Sequence, residues 1–118
     1  RQFLRHATLD DWWREIMLGP EHFRGLDLPA FHVTGWYDGL LPGTLHYWRG
    51  MRELSAAPAS QRLLIGPWNH GETRSGGSAQ LNDRERGEAS VVDIDDLAFR
   101  WFQSCFAGTT AEFDAPPA

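Results

Sequence analysis

Residues 62–71 read RLLIGPWNHG, an apolar run that ends abruptly at a glycine and a proline. The residues from Leu63 to Ile65 do not alternate with polar ones, which favours a β-strand covered by helices on both faces. The Gly66-Pro67 pair then predicts the end of the strand. His70 therefore falls in a turn just beyond a buried strand.

An earlier stretch, residues 29–39, has the same pattern with an acid in place of the histidine. It reads PAFHVTGWYDG. Its apolar and β-branched residues predict a strand over residues 29–34. Residues 35–43 are rich in turn-forming residues and predict a loop that carries Asp38.

Helical periodicity accounts for much of the remaining chain. Apolar residues at helical spacing predict helices over about residues 9–17, 44–54 and 93–106, and Thr8 is the expected N-cap of the first. The apolar stripe of the last helix consists of Ile94, Leu97, Trp101 and Cys105. Residues 19–28 are interpreted as a polar connector. Residues 71–90 are interpreted as a long polar loop, and loops of that length in compact domains are usually functional or mobile.

The order helix, strand, helix, strand, helix predicts an α/β fold with parallel strands between helical layers. The chain has 118 residues, of which 42% are hydrophobic and 23% charged, a composition typical of a folded globular protein. Two strands are fewer than the roughly four to six of most sheets, and their outer edges are open to pairing with other strands. We therefore expect a fragment of a larger α/β protein.

Composition argues against several classes of function. The net charge is −5 and the 11 basic residues are scattered singly, whereas nucleic-acid binding needs a concentrated basic face. The single cysteine excludes an internal disulfide framework and a thiolate metal cage. No apolar run has the roughly 20 residues of a membrane helix. No signal-peptide pattern is visible, which favours a cytoplasmic protein but leaves the compartment open.

Asp38 and His70 are the residues most suited to catalysis. Each follows a predicted strand, and functional groups in open α/β sheets gather at the carboxyl ends of strands. An acid followed by a histidine is also the order of the last two triad members in α/β-hydrolases. The histidine would move the proton of a serine hydroxyl, and the carboxylate would fix the histidine tautomer.

Each of these residues also has a purely structural interpretation. Asp38 precedes a glycine and could be a turn residue, and His70 could bond to a loop carbonyl. The structural interpretation is favoured for the other four histidines, which lie in polar flanks, in a strand and on a helix: His6, His22, His32 and His46. Metal binding is a weaker alternative because no pair of residues has zinc-site spacing. We predict no metal and no organic cofactor.

The chain contains no serine in a nucleophile elbow. That motif is Gly-x-Ser-x-Gly on a strand-to-helix turn. Ser78 comes nearest, but it lacks the second glycine and follows no strand. Cys105 lies on the apolar stripe of a helix and is expected in the core. If the protein is a hydrolase, its nucleophile is expected before Arg1.

Four segments resemble the CocE/NonD-type acyl esterases, a family related to X-Pro dipeptidyl-peptidases. Residues 6–13 resemble a His-Pro-x-x-Asp-Asp-x-Trp stretch, with alanine where proline is usual. Residues 28–38 and 62–70 resemble the strands and turns that bear the family's acid and base. Residues 99–108 resemble the closing helix, although Gln103 and Phe106 depart from its pattern.

The resemblance implies a partial α/β-hydrolase fold and a serine hydrolase that cleaves acyl esters through an acyl-enzyme. It implies that Asp38 is the triad acid and His70 the base, and we expect Trp36, Tyr37 and Trp68 to wall the acyl pocket. The apolar turn after the acid, residues 39–43, differs from the acidic turn of amino-acid ester hydrolases and favours a neutral acyl group.

The resemblance also bears on domains and partners. Residues 1–111 would form the C-terminal part of the catalytic domain, and residues 112–118 a linker toward a jelly-roll β domain. The expected partner is a small-molecule ester, with no nucleic acid and no membrane. The N-terminal half of the hydrolase domain, with the nucleophile and oxyanion hole, would lie outside this chain. The alternatives are an X-Pro dipeptidyl-peptidase-type amide hydrolase and a non-catalytic α/β interaction fragment.

Overall fold

Strands β1 (Ala30–Tyr37) and β2 (Gln61–Asn69) lie side by side and run parallel in the computed structural model, which describes residues 2–81, 83–110 and 113. The helix α3 (Leu41–Leu54) connects them and contacts both strands. Parallel neighbours need such a crossover because a tight turn would reverse the chain. The predicted βαβ arrangement is therefore confirmed.

Further helices and strands precede and follow this unit. The helices α1 (Asp11–Ile16) and α2 (Pro20–Arg24) precede β1. After β2 come α4 (Glu72–Ser75), the antiparallel pair β3 (Gln80–Leu81) and β4 (Arg84–Glu85), and the long helix α5 (Ile94–Ala107). Single 3₁₀ turns lie at Phe3–Arg5, Pro58–Ser60 and Glu88–Ser90.

The core lies between the sheet and α5. Leu64 and Trp68 of β2 pack against Leu97 and Trp101 of α5, together with Phe113. The predicted stripe of the last helix is confirmed at its buried centre, while its ends, Ile94 and Cys105, are partly buried. Of the expected linker, Phe113 packs edge-on against Trp101, and residues 112 and 114–118 lie outside the described part of the chain.

Coverage of β2 is unequal on its two sides. Leu64 is buried, but its neighbours Leu63 and Ile65 are only partly buried. The consecutive apolar residues therefore have one side fully packed within this chain. The other side retains accessible apolar surface.

Several predicted boundaries were wrong for local reasons. Asp10, not Thr8, caps α1 by accepting a hydrogen bond from the Trp13 amide. Part of the supposed connector forms α2, whose first residue is a proline, a residue suited to the first helical turn. The helix α3 begins at Leu41, earlier than expected, with Pro42 again in its first turn.

The predicted loop 35–43 also contains the last residues of β1. Gly35 pairs with Gly66 and Tyr37 pairs with Asn69, so β2 has one extra residue between these pairs. The irregularity falls at Pro67–Trp68, and a proline is tolerated in a strand at such a bulge. Bulges bend a strand and re-aim the side chains beside it. The bulge lies immediately before the turn that carries His70.

Candidate active site

The two predicted catalytic side chains meet at the carboxyl ends of β1 and β2. Nδ1 of His70 lies 3.2 Å from Oδ1 and 3.3 Å from Oδ2 of Asp38. The sequence interpretation of the two turns as one site agrees with this contact. The alternative of a His70 ring bonded to a carbonyl does not.

The acid is buried and the histidine is open to solvent. The side chain of Asp38 is 5% exposed and that of His70 is 57% exposed. The backbone amide of Leu40 donates to Asp38 Oδ1 at 2.8 Å. This amide, together with the His70 ring and against the opposing effect of burial, lowers the pKa of Asp38 below its usual 3.8. The carboxylate is thus held ionised in a fixed orientation.

The outer nitrogen of the His70 ring is available for chemistry. Among the described residues, no group forms a hydrogen bond with His70 Nε2, whereas Nδ1 faces the carboxylate. A carboxylate on Nδ1 favours the tautomer in which Nε2 accepts a proton. This is the arrangement required of a histidine that acts as a general base.

The three aromatic residues expected at the pocket are not equivalent. Trp36 is 62% exposed and Tyr37 is 64% exposed at the end of β1, so both are available to contact a ligand. Trp68 is 1% exposed in the core, and its indole N–H donates to the Ser90 carbonyl at 2.7 Å. The expectation of a pocket wall is therefore corrected for Trp68, which supports the His70 turn from the interior.

The residues weighed as alternative nucleophiles are otherwise occupied. The hydroxyl of Ser78 donates to the Gln80 carbonyl and accepts from Arg86 Nη2 at 2.9 Å. Cys105 packs at the edge of the core, as predicted, and burial raises the pKa of its thiol, which disfavours the nucleophilic thiolate.

The long segment after His70 contains two residues that sequence analysis missed. Glu72 and Arg86 form an ion pair, with Arg86 Nη2 2.5 Å from Glu72 Oε1. Hydrogen bonds from Arg86 are the main cause that lowers the pKa of Glu72 below its usual 4.5. The only sequence signal was the presence of charges of opposite sign in a long polar segment, which does not identify a pair.

The other histidines have structural contacts or burial. Nδ1 of His6 lies 2.6 Å from Asp10 Oδ2, and Nε2 of His46 lies 3.1 Å from the Leu18 carbonyl. Burial lowers the pKa of His32 within β1. No group of three or more metal-ligating side chains occurs in residues 2–81, 83–110 and 113. Within the same residues, no helix has the length and apolarity to cross a bilayer.

Two comparisons with known proteins show the family of the chain. The family model described as X-Pro dipeptidyl-peptidase (S15 family) matches residues 1–72. Cocaine esterase from Rhodococcus sp. (strain MB1 Bresler) is 33% identical over 93 residues, which cover 79% of this chain and 15% of that esterase. The chain thus spans a small part of the relative's length.

The family match covers most of the α/β unit, including β1, α3 and β2. The parallel strands and the helices packed on them are consistent with a partial α/β-hydrolase fold. The resemblance seen in the sequence is confirmed by both comparisons. This chain belongs to the S15 family, whose model is described as X-Pro dipeptidyl-peptidase, and is a member of its CocE/NonD type.

Proposed function

We propose that this chain supplies the acid and the base of a serine hydrolase that cleaves carboxylic (acyl) esters through an acyl-enzyme. The observation that carries the proposal is the 3.2 Å contact between His70 Nδ1 and the buried Asp38 carboxylate. It joins the ends of two neighbouring parallel strands, where α/β enzymes assemble their sites.

In the proposed reaction, Asp38 accepts a hydrogen bond from Nδ1–H of His70, and His70 Nε2 accepts the proton of a serine hydroxyl. The serine oxygen attacks the ester carbonyl and forms a tetrahedral intermediate. The imidazolium then returns the proton to the departing alkoxide, which leaves an acyl-enzyme. In the second half, His70 activates water, which hydrolyses the acyl-enzyme and regenerates the serine. Residues of the full-length protein outside this chain would supply the serine and the oxyanion hole.

The surroundings of the acid favour a neutral acyl group. Trp36 and Tyr37 present exposed aromatic surface immediately before Asp38, and Leu40, which follows it, is 60% exposed. Apolar and aromatic walls with a few polar groups are typical of small-molecule pockets. Residues 39–43, which form the turn after Asp38 and the start of α3, contain no acidic side chain that could hold a substrate amine.

The remaining expectations about domains and partners are part of this proposal. The full-length protein would contain the N-terminal half of the hydrolase domain and a C-terminal β domain, and it would act on a small-molecule ester. The match to only 15% of the length of cocaine esterase supports a longer parent protein.

The second candidate activity is cleavage of an amide bond, as in an X-Pro dipeptidyl-peptidase. The description of the matching family favours it, and the apolar turn after Asp38 argues against it. A non-catalytic interaction fragment is the third candidate, and its distinguishing feature would be the absence of a reactive serine in the full-length protein.

The test uses the full-length protein with p-nitrophenyl acetate, an X-Pro p-nitroanilide and a fluorophosphonate probe for the serine. We expect ester hydrolysis and labelling in the wild type, and loss of several orders of magnitude in kcat for His70→Ala. Asp38→Asn should cost about 10⁴-fold, the magnitude known for another triad enzyme. Arg100→Gln, a change in an exposed pair on α5, is the control.

Each candidate has its own outcome. Faster cleavage of the anilide than of the ester would favour the peptidase. Absence of labelling and of both activities would favour the non-catalytic fragment. A near-wild-type rate in His70→Ala would overturn the proposed roles of both residues.

A further inference from the structure

The turn that carries His70 is closed by reciprocal hydrogen bonds between its two ends. The backbone amide of Asn69 donates to Glu72 Oε2 at 3.0 Å, and the backbone amide of Glu72 donates to Asn69 Oδ1 at 3.1 Å. Thr73 Oγ1 also donates to the His70 carbonyl at 2.7 Å. The backbone on both sides of His70 is therefore tied to the start of α4.

Arg86 reaches this turn from 14 residues further along the chain. Its two terminal nitrogens donate hydrogen bonds to both carboxylate oxygens of Glu72. The distances are 2.5 Å from Nη2 to Oε1 and 3.1 Å from Nη1 to Oε2. Nη1 also donates to the carbonyl of Pro67. Arg86 thus contacts the chain both before and after His70.

The pair is shielded from solvent more than surface ion pairs are. The side chains of Arg86 and Glu72 are 8% and 15% exposed, whereas those of the Arg100–Asp96 pair on α5 are 46% and 54% exposed. Two-point contacts between a guanidinium and a carboxylate fix geometry as well as charge. Removing one partner would leave the other charge shielded and unpaired.

The His70 ring needs this support because its own contacts are few. Its side chain is 57% exposed, and Asp38 is the one side chain among the described residues that bonds to the ring. The position of the ring therefore depends on the backbone that carries it. That backbone is held by Glu72 and Arg86.

We propose that Glu72 and Arg86 are positioning residues that hold the His70 turn, so that the imidazole stays aligned with Asp38 and with the attacking serine. This role rests on the proposed function of His70 as the base. An arginine is required rather than a lysine, because only a planar guanidinium group can donate to both oxygens of Glu72 and to the Pro67 carbonyl as well.

The experiment uses the full-length protein with Glu72→Gln, Arg86→Gln, the double variant and Arg100→Gln as the matched control. Ester hydrolysis gives kcat and KM, and ¹H–¹⁵N spectra of ¹⁵N-histidine-labelled protein report the tautomer and the Nδ1 proton of His70. We expect kcat to fall about 10²-fold with little change in KM, since misplacement by about an ångström costs that much. The double variant should be no slower than the slower single variant, and the Nδ1 proton should exchange faster with water.

The outcomes separate this inference from the proposed function. If His70→Ala is inactive while Glu72→Gln and Arg86→Gln keep the wild-type kcat and His70 spectrum, the positioning role is overturned alone. A rise in KM at constant kcat would overturn it as well. If His70→Ala stays active while Glu72→Gln still alters the His70 spectrum, Glu72 still holds the His70 ring in place but the proposed function fails. Should Arg86→Gln not fold, the isosteric Glu72→Gln decides.

Discussion

Gly35 lies so close to the backbone of Trp68 that a Cβ atom on residue 35 would come 2.6 Å from the Trp68 carbonyl carbon and overlap its oxygen. Neither neighbour can yield easily, because residue 35 lies within β1 and the Trp68 ring is fixed in the core. The glycine before the Trp36–Asp38 motif is therefore required by close packing of the two strand ends.

Gly35→Ala should lower the melting temperature of the full-length protein and reduce ester hydrolysis, because the added methyl group pushes β1 and β2 apart at the site. Differential scanning fluorimetry and initial rates measure the two effects. The matched control is Gly43→Ala in α3, where an added Cβ meets nothing within 4 Å and where alanine is a better helix former. Equal melting temperatures for the two variants would contradict the packing argument.

Trp68→Phe should lower stability without changing KM, because Trp68 is buried and donates to Ser90 rather than facing the ligand. The lost hydrogen bond costs about 1 kcal/mol, and Trp68→Ala should cost about 3–5 kcal/mol. Urea unfolding and substrate titrations provide the readouts. Trp36→Ala is the comparison, with a changed KM and near-normal stability. The reverse pattern would restore Trp68 as a pocket residue.

The contribution of Asp38 to the free energy of unfolding should be lost only at low pH. Its pKa is lower in the folded protein than its usual 3.8, so the carboxylate stabilises the fold fully above that value. The contribution is lost as the pH falls through the lower, folded-state pKa. In urea unfolding, the gap between wild type and Asp38→Asn should close only below about pH 4. Asp83→Asn, at an exposed position, should show a much smaller gap throughout. A gap independent of pH would be inconsistent with this assignment.

Residues 1–118 expressed alone should bind a hydrophobic dye and aggregate. One face of α5 carries Phe99, Phe102 and Phe106, which are 61%, 58% and 90% exposed, and contiguous apolar patches of this kind promote association. Light scattering and dye fluorescence test the expectation. Replacing the three phenylalanines by serine should reduce both signals, while the buried stripe of α5 is left intact. If the wild-type chain were monomeric and melted cooperatively, this surface would not need to be buried against another part of the full-length protein.

The same chain should hydrolyse an aryl ester no faster than its His70→Ala variant. The described residues place no serine hydroxyl in hydrogen-bond contact with His70, and Ser78 is engaged by Arg86 and Gln80. Hydrolysis that depends on His70 would point to a nucleophile within these residues. Ser78→Ala would then be the first variant to assay.

The two strands were predictable because short-range rules determine them, and the proximity of Asp38 to His70 follows from their parallel arrangement. Apolar runs closed by glycine predicted β1 and β2, and parallel pairing across the connecting helix α3 brings their carboxyl ends together. The contact of Arg86 with Glu72 was not predictable, because it depends on how residues 71–90 fold back on themselves. Gly76 and Gly77 adopt left-handed backbone angles there, with φ of 84° and 81°. No periodic pattern in the sequence predicts such a backbone path.

The predicted position of Trp68 in the pocket wall was wrong for a different reason. The Gly66-Pro67 pair predicted the end of the strand, which left Trp68 in the turn beside His70 and led to its assignment to the pocket. The strand instead continues to Asn69, and Trp68 is buried on the same alternation as Leu64 and Gly66, so its indole ring enters the core. Continuation of a strand past a proline depends on pairing with its neighbour, here the contact of Asn69 with Tyr37, which local sequence does not determine.

Because of the bulge, the number of residues between Gly66 and His70 is itself a constraint on the site. Asp38 lies three residues beyond the Gly35–Gly66 pair, whereas His70 lies four residues beyond it. Deleting one residue between Gly66 and His70 would leave the residue types of the motif nearly unchanged but would shift the parity of the strand. The imidazole would then emerge on the opposite face of the sheet. Related chains should therefore accept substitutions in this interval far more readily than insertions or deletions.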